Sequence, residues 1–232
     1  MEQEQRRYRL AGFCMLLFIA GQTFQEAATR FWIPPAKGPD QELLTHLLAV
    51  DRVRALLILI SILLLVIPYI VIARRYWPTT PIAAASGLIA VIGFVGFEFT
   101  ARSIDFFVVG QHWASAFRSS NSPQEKTIIV HRYVLWSDMV RGMYFELLLS
   151  YLLGSSAFLY ATLRDNDRWS RLASLAFALN ALRLIGRIAS TFAHQVWLDS
   201  LNNSAYFPAV FAINCLLAMW LFHLGRRKDI FT

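Results

Sequence analysis

Residues 81–105 read PIAAASGLIAVIGFVGFEFTARSID. From Pro81 to Phe97 the stretch holds no ionisable side chain, and Glu98, Arg102 and Asp105 follow at spacings of four and three. At that spacing all three project from one helix face. A run of roughly 20 apolar residues is long enough to cross a bilayer as a helix. Here the crossing carries its charges near one end only.

The same arrangement recurs along the chain. Six apolar stretches predict crossings at about 10–32, 53–76, 81–109, 123–163, 169–197 and 206–224. Glu26 and Arg30 come late in the first and Glu98, Arg102 and Asp105 late in the third. Asp138, Arg141 and Glu146 come early in the fourth, and Arg183, Arg187 and His194 lie past the middle of the fifth. Because successive crossings alternate in direction, these residues fall in one half of the membrane. Charge in lipid costs a few kcal/mol per residue even on lenient insertion scales, so such residues face a bundle interior or a wet cavity.

Composition agrees with a membrane protein. Of 232 residues, 56% are apolar and only 16% charged, and six crossings with short loops use nearly the whole chain. The expectation is therefore one all-α domain over 1–232, a polytopic six-transmembrane-helix bundle embedded in the lipid bilayer.

The turns carry their own signals. A short amphipathic stretch near 41–50, with Leu43, Leu44, Leu47 and Leu48 on one face, is predicted to lie along the interface. Pro68 is expected to kink the second crossing. Thr80-Pro81 and Ser122-Pro123-Gln124-Glu125 read as helix starts, the latter a capping box. Gln111 to Asn121 reads as the longest polar connection, and Asp165 to Asp167 as a tight turn. The N-terminal Arg6, Arg7 and Arg9 before Ala11 to Gly21 resemble the charged and apolar regions of a signal peptide, but the apolar run continues past Ala28, so a retained anchor is expected.

Arg6, Arg7, Arg9, Arg74, Arg75, Arg164, Arg168, Arg171, Arg226, Arg227 and Lys228 gather at one set of helix ends. The positive-inside rule places that set, and with it both termini, in the cytoplasm. Trp32, Trp136 and Trp197 near the opposite ends, with Trp77, Trp169 and Trp220 near the basic ends, fit two aromatic belts. The net charge of +7 is thus spent on topology, and nucleic acid is not an expected partner, since no basic, aromatic-interleaved face exists.

The polar residues of the fifth crossing, Asn180, Arg183, Arg187, Ser190, Thr191 and His194, share an arc of about 100°. Arg183 and Arg187 would present two guanidinium forks, suited to a carboxylate or phosphate. The expected ligand-binding set is Arg183, Arg187, Arg141, Arg102, Arg30, Glu26, Glu98, Asp105, Asp138, Glu146, Asn180 and His194. It would serve an outward-facing cavity that binds, senses or carries a small anionic ligand or lipid headgroup. Two alternatives stay open. The acids and arginines are nearly balanced, so they could form a salt-bridge network in an accessory subunit of a larger complex. The carboxylates could also serve a membrane-embedded hydrolase or transferase acting on envelope lipids. No activated nucleophile stands out, and the balance leans away from an enzyme.

His46, His112, His131, His194 and His223 lack metal-ligand spacing, so no metal is expected. Cys14 and Cys215 read as small apolar residues. With no lysine in the apolar part of any crossing (Lys126 lies in the polar start of the fourth) and no phosphate-cradling glycine loop, no cofactor is expected. A membrane-protein partner or a homo-oligomer is compatible with the pattern.

Arg9-Leu10-Ala11-Gly12 with Leu16, Leu17 and Gly21, Asp51 to Arg54 before an apolar helix, and Trp169-Ser170-Arg171-Leu172 opening another resemble the blocks of a bacterial family of short polytopic membrane proteins that carries no assigned activity. The resemblance implies a six-helix protein of the bacterial inner membrane. It does not extend to Arg183 and Arg187.

Overall fold

A computed structural model describes residues 2–193 and 196–226, the side chains of 196–203 excepted. His194, Arg227 and Lys228 lie outside the described residues. Among these residues every regular element is helical and there is no strand. Six helices are long and apolar enough to cross a membrane. The chain runs α1 (Glu2–Trp32), a short α2 (Pro39–Thr45), α3 (Ala49–Tyr76), α4 (Pro81–Ser119), α5 (Pro123–Leu163), α6 (Ser170–Phe192) and α7 (Val196–Leu224).

Several boundaries differ from the sequence reading. The polar connection at Gln111 to Asn121 is helical as far as Ser119, because α4 continues through a π-helical stretch, Asp105–Trp113, into Ala114–Ser119. The last helix begins at Val196 rather than Tyr206, so Trp197 opens α7 instead of closing α6. Polarity alone misread both, since a helix outside the bilayer tolerates polar residues that a crossing does not. α3 breaks at Leu65 between Ala49–Leu64 and Val66–Tyr76. The cause is Pro68, which has no N–H to offer the carbonyl one turn back.

The core shared by the six long helices packs around aromatic side chains, with Trp220, Tyr69, Phe158 and Phe177 all fully buried. Apolar burial gives little drive between helices in lipid, so close packing must supply the attraction. The α4–α5 crossing shows how. A Cβ on Gly87 would stand 2.8 Å from Phe158, and one on Gly154 would stand 2.9 Å from Val91. A Cβ on Gly96, by contrast, would meet nothing within 4 Å.

At about 1.5 Å per residue, α5 is roughly 60 Å long, twice the hydrocarbon layer. The N-terminal half of α5 and the C-terminal end of α4 therefore form a hairpin with its own small core: Val109, Ala114, Ile129, Tyr133 and Trp136. Ser122 Oγ caps α5 by accepting the Glu125 N–H at 3.4 Å. Into this core α2 inserts Leu43, which is fully buried. The stretch assigned to the interface thus rests on protein through Leu43 and Leu47, while Leu44 and Leu48 stay exposed.

The two chain ends meet at the opposite end of the bundle. Arg9 Nε donates to the Gly225 carbonyl at 3.0 Å, and Phe13 meets Phe222 edge to face. There Arg75 pairs with Asp165 at 2.8 Å, and Tyr76 and Ser170 donate to the same carboxylate oxygen.

Candidate functional site

The helix ends that carry the intramembrane charges enclose a cavity of about 330 Å³. Four structural pieces build it. α1 brings Thr29, α2 and the following turn bring Glu42 and His46, the start of α3 brings Asp51, Arg52 and Arg54, and the α4–α5 hairpin brings Arg102, Asp105, Tyr133 and Trp136. Both π-helical segments among the described residues, Ala28–Trp32 and Asp105–Trp113, contribute to its wall. π-helical turns are rare and concentrate at functional sites, because the widened turn re-aims side chains that an α-helix would bury. At Gly110 the widened helix also lets the α2 turn approach, since a Cβ there would stand 3.2 Å from the Asp105 carbonyl and 3.7 Å from His46.

Most charges in this cavity are already held. Asp51 is 3% exposed. It accepts from His46 Nδ1 at 3.0 Å and pairs with Arg54 at 2.6 Å. Asp105 accepts the Trp136 indole N–H at 2.7 Å. Arg102 donates to Glu98 at 2.9 Å and stands 3.7 Å from Asp105. Arg52, in contrast, is exposed and has no side-chain partner among the described residues.

Behind Arg102 lies a second, smaller cavity of about 110 Å³, bounded by Gln22, Gln25, Glu98, Tyr151, Asn180, Arg183, Tyr206 and Asn214. Space of this size holds a few water molecules rather than a ligand. Arg183 is fixed within it, donating to Asn180 Oδ1 at 3.0 Å with its guanidinium 5.2 Å from the Tyr206 ring. Asn180 is buried and ties α6 to α5 by donating to Ser155 Oγ at 2.7 Å. Asn214 Oδ1 is buried without a protein partner, so water is its natural donor. Arg102 lines both cavities.

The expected site residues therefore separate into four groups. Arg102, Asp105, Glu98, Asn180 and Arg183 line one cavity or both. Glu26 and Arg30 pair with each other along α1 and line neither. Asp138, Arg141 and Glu146 are exposed on the outer face of α5. Arg187 lies 5.9 Å from the Tyr144 ring and outside both linings, so the two forks of α6 do not converge on one ligand. His194 lies outside the described residues.

The sequence reading missed Glu42, His46, Asp51, Arg52 and Arg54. Their signal was present, since a charged cluster opens the second crossing at the same end as Glu98 and Arg102. Attention to charges inside crossings hid it. No group of three metal-ligating side chains occurs among the described residues. No family model, no curated protein and no solved structure matches the chain.

Proposed function

We propose that this is a multi-pass membrane protein that binds a molecule bearing an anionic group, a lipid headgroup or a small carboxylate or phosphate, in the 330 Å³ cavity. The observation that carries the reading is Arg52, an unpaired guanidinium on a wall whose other basic side chains are tied to acids. Arg102, shared between a carboxylate on either side, is the second contact. Arginine suits this task because its planar fork matches carboxylate and phosphate oxygens. A volume of a few hundred Å³ is that of ordinary small-molecule sites.

We place the cavity on the outer side of a bacterial inner membrane, with both termini cytoplasmic. The support is the basic cluster around Arg6, Arg7, Arg9, Arg74 and Arg75 at the other end. Maleimide should label Ser120→Cys in intact cells. Labelling only after lysis would reverse the orientation.

The salt-bridge alternative is weakened by geometry. Glu26–Arg30, Glu98–Arg102 and Arg102–Asp105 each join residues of one helix, and a pair within one helix cannot fix the register between two. Binding is tested with purified protein in detergent and in nanodiscs, against inorganic phosphate, glycerol phosphate and anionic or zwitterionic lipid. Arg52→Gln should weaken the response about tenfold or more, in the range of a lost charged hydrogen bond, with melting unchanged. An unaltered response in Arg52→Gln and Arg102→Gln would defeat the reading.

A second reading, hydrolysis or transfer on a headgroup, rests on His46. With Nδ1 directed at Asp51, its Nε2 is left as a proton acceptor, the orientation a general base requires. Headgroup release by purified protein, abolished in His46→Gln with binding retained, would establish it. Absence of turnover leaves binding alone.

A further inference from the structure

Three charges that the sequence assigned to the cavity point away from it. Asp138, Arg141 and Glu146 are exposed on α5, and none has a side-chain partner among the described residues. The opposite face of the same segment buries Trp136, Leu147, Leu148 and Tyr151, so the outward orientation is set by packing.

Depth makes this costly. Glu146 lies about 25 Å along the helix from Leu163, at 1.5 Å per residue. With Leu163 at the edge marked by Arg164, that puts Glu146 about 5 Å inside the outer edge of a hydrocarbon layer of about 30 Å, with Arg141 and Asp138 beyond that edge. An unpaired carboxylate facing lipid is disfavoured by a few kcal/mol. A cation presented across this face would relieve that cost.

The pattern around Glu146 says what would present it. Leu135, Gly142 and Leu149 recur every seven residues and are all exposed, which is the spacing of a helix–helix seam. Gly142 sits at its centre, and a Cβ added there would meet nothing within 4 Å. A missing side chain at a seam lets two backbones approach closely in a membrane. Arg141 and Glu146 flank Gly142 and stand five residues apart. In a parallel helix pair, flanking residues five apart on opposite strands face each other across the seam.

We infer that the exposed face of α5 is the interface with a second copy of this chain, closed by two symmetric Arg141–Glu146 pairs. Two copies inserted in the same direction, related by a two-fold axis along the membrane normal, place α5 parallel to α5. The opposite charges on one stripe make it self-complementary, and a different partner would have no reason to match that five-residue offset.

The test uses full-length chain in lipid vesicles, with Cys14→Ala and Cys215→Ala as background. Gly142→Cys should cross-link to itself through a short bifunctional maleimide, while Ile185→Cys, 53% exposed on α6, should not. Arg141→Glu should cut the cross-linked fraction about tenfold, the effect of one lost charge pair at each of two sites. The double change Arg141→Glu with Glu146→Arg should restore it, and circular dichroism checks that each variant is helical. Equal cross-linking at 142 and 185, failure of the double change to restore a folded dimer, or cross-links to a different polypeptide would each overturn the proposal.

Discussion

The two ends of the bundle use charge in opposite ways. At the end holding the termini, beside the Arg6–Glu2 and Arg7–Glu4 pairs within α1, ion pairs join different elements: Arg75 of α3 to Asp165 beyond α5, and Arg74 of α3 to Glu4 of α1. At the cavity end, among the described residues, the arginine–carboxylate pairs stay within one helix, only His46 reaches Asp51 from another element, and Arg52 is left over. The first arrangement spends its charges on holding helices together. The second leaves helix packing to Tyr69 with Tyr151, Asn180 with Ser155, and Trp136 with Asp105, and keeps guanidinium groups within reach of a ligand. What separates a structural charge from an available one here is the identity of the partner helix, not burial alone.

The largest effect should come from breaking the stapled end. Asp165→Asn takes from Arg75, whose side chain is only 13% exposed, its hydrogen-bonded anion and leaves it only the more distant Asp167 carboxylate at 3.8 Å. Stranding a buried charge outright typically costs on the order of 3 to 5 kcal/mol; with Asp167 still facing Arg75 the loss should stay below that ceiling, read as a lowered denaturation midpoint in detergent. Acid should produce the same loss in the unaltered protein. Burial alone would raise the Asp165 pKa. The Asp167 backbone N–H, Arg75 and Ser170 outweigh it and hold the carboxyl below the usual carboxylate range. A depressed folded value means that the contribution is complete above the unfolded value of about 4 and fades as pH falls through the folded one. The stability gap between the wild-type chain and Asp165→Asn should therefore be constant from pH 7 to 5 and close below about pH 4. A gap that closes by pH 6 would contradict it.

An intermediate effect belongs to Asn180, which is 2% exposed and connects Ser155 to Arg183. Asn180→Ala removes both bonds and should cost about 1 to 3 kcal/mol. It should leave ligand binding at Arg52 within about twofold, because the small cavity is not where the anionic group sits. A large loss of binding instead would move the ligand site toward Arg183.

The crossings were legible because their signal is additive: long apolar runs, basic ends, and Pro68 acting where it stands. The candidate site was legible only in part. Sequence gives depth along a helix, and Glu98, Arg102, Asp105 and Asp138 do share a depth by that count. It does not give the angle at which each helix meets its neighbours. Asp138 and Asp105 therefore looked alike, yet one accepts the Trp136 indole N–H and the other faces out of the bundle. The π-helical turn at Asp105–Trp113 adds to this, because it rotates every later residue relative to α-helical spacing. Leu43 escaped for a related reason: an amphipathic stretch looks the same whether it lies on lipid or on protein.

The smallest stability change, and the sharpest sign, is expected from Glu98→Gln. Its pair with Arg102 joins residues four apart on α4, and the Arg102 side chain is 36% exposed. Pairs of this spacing contribute about 0.2 to 0.5 kcal/mol, so melting should barely move. Arg102, however, would lose the carboxylate that competes for its guanidinium, while Asp105 remains 3.7 Å away. Affinity for an anionic ligand should then rise several-fold, up to about tenfold, the scale of about 1.4 kcal/mol. If the charges at this end served instead to hold the bundle together, the same substitution would strand Arg102, lower stability by several kcal/mol and improve binding not at all. Melting and phosphate titration on one purified variant give opposite answers for the two cases.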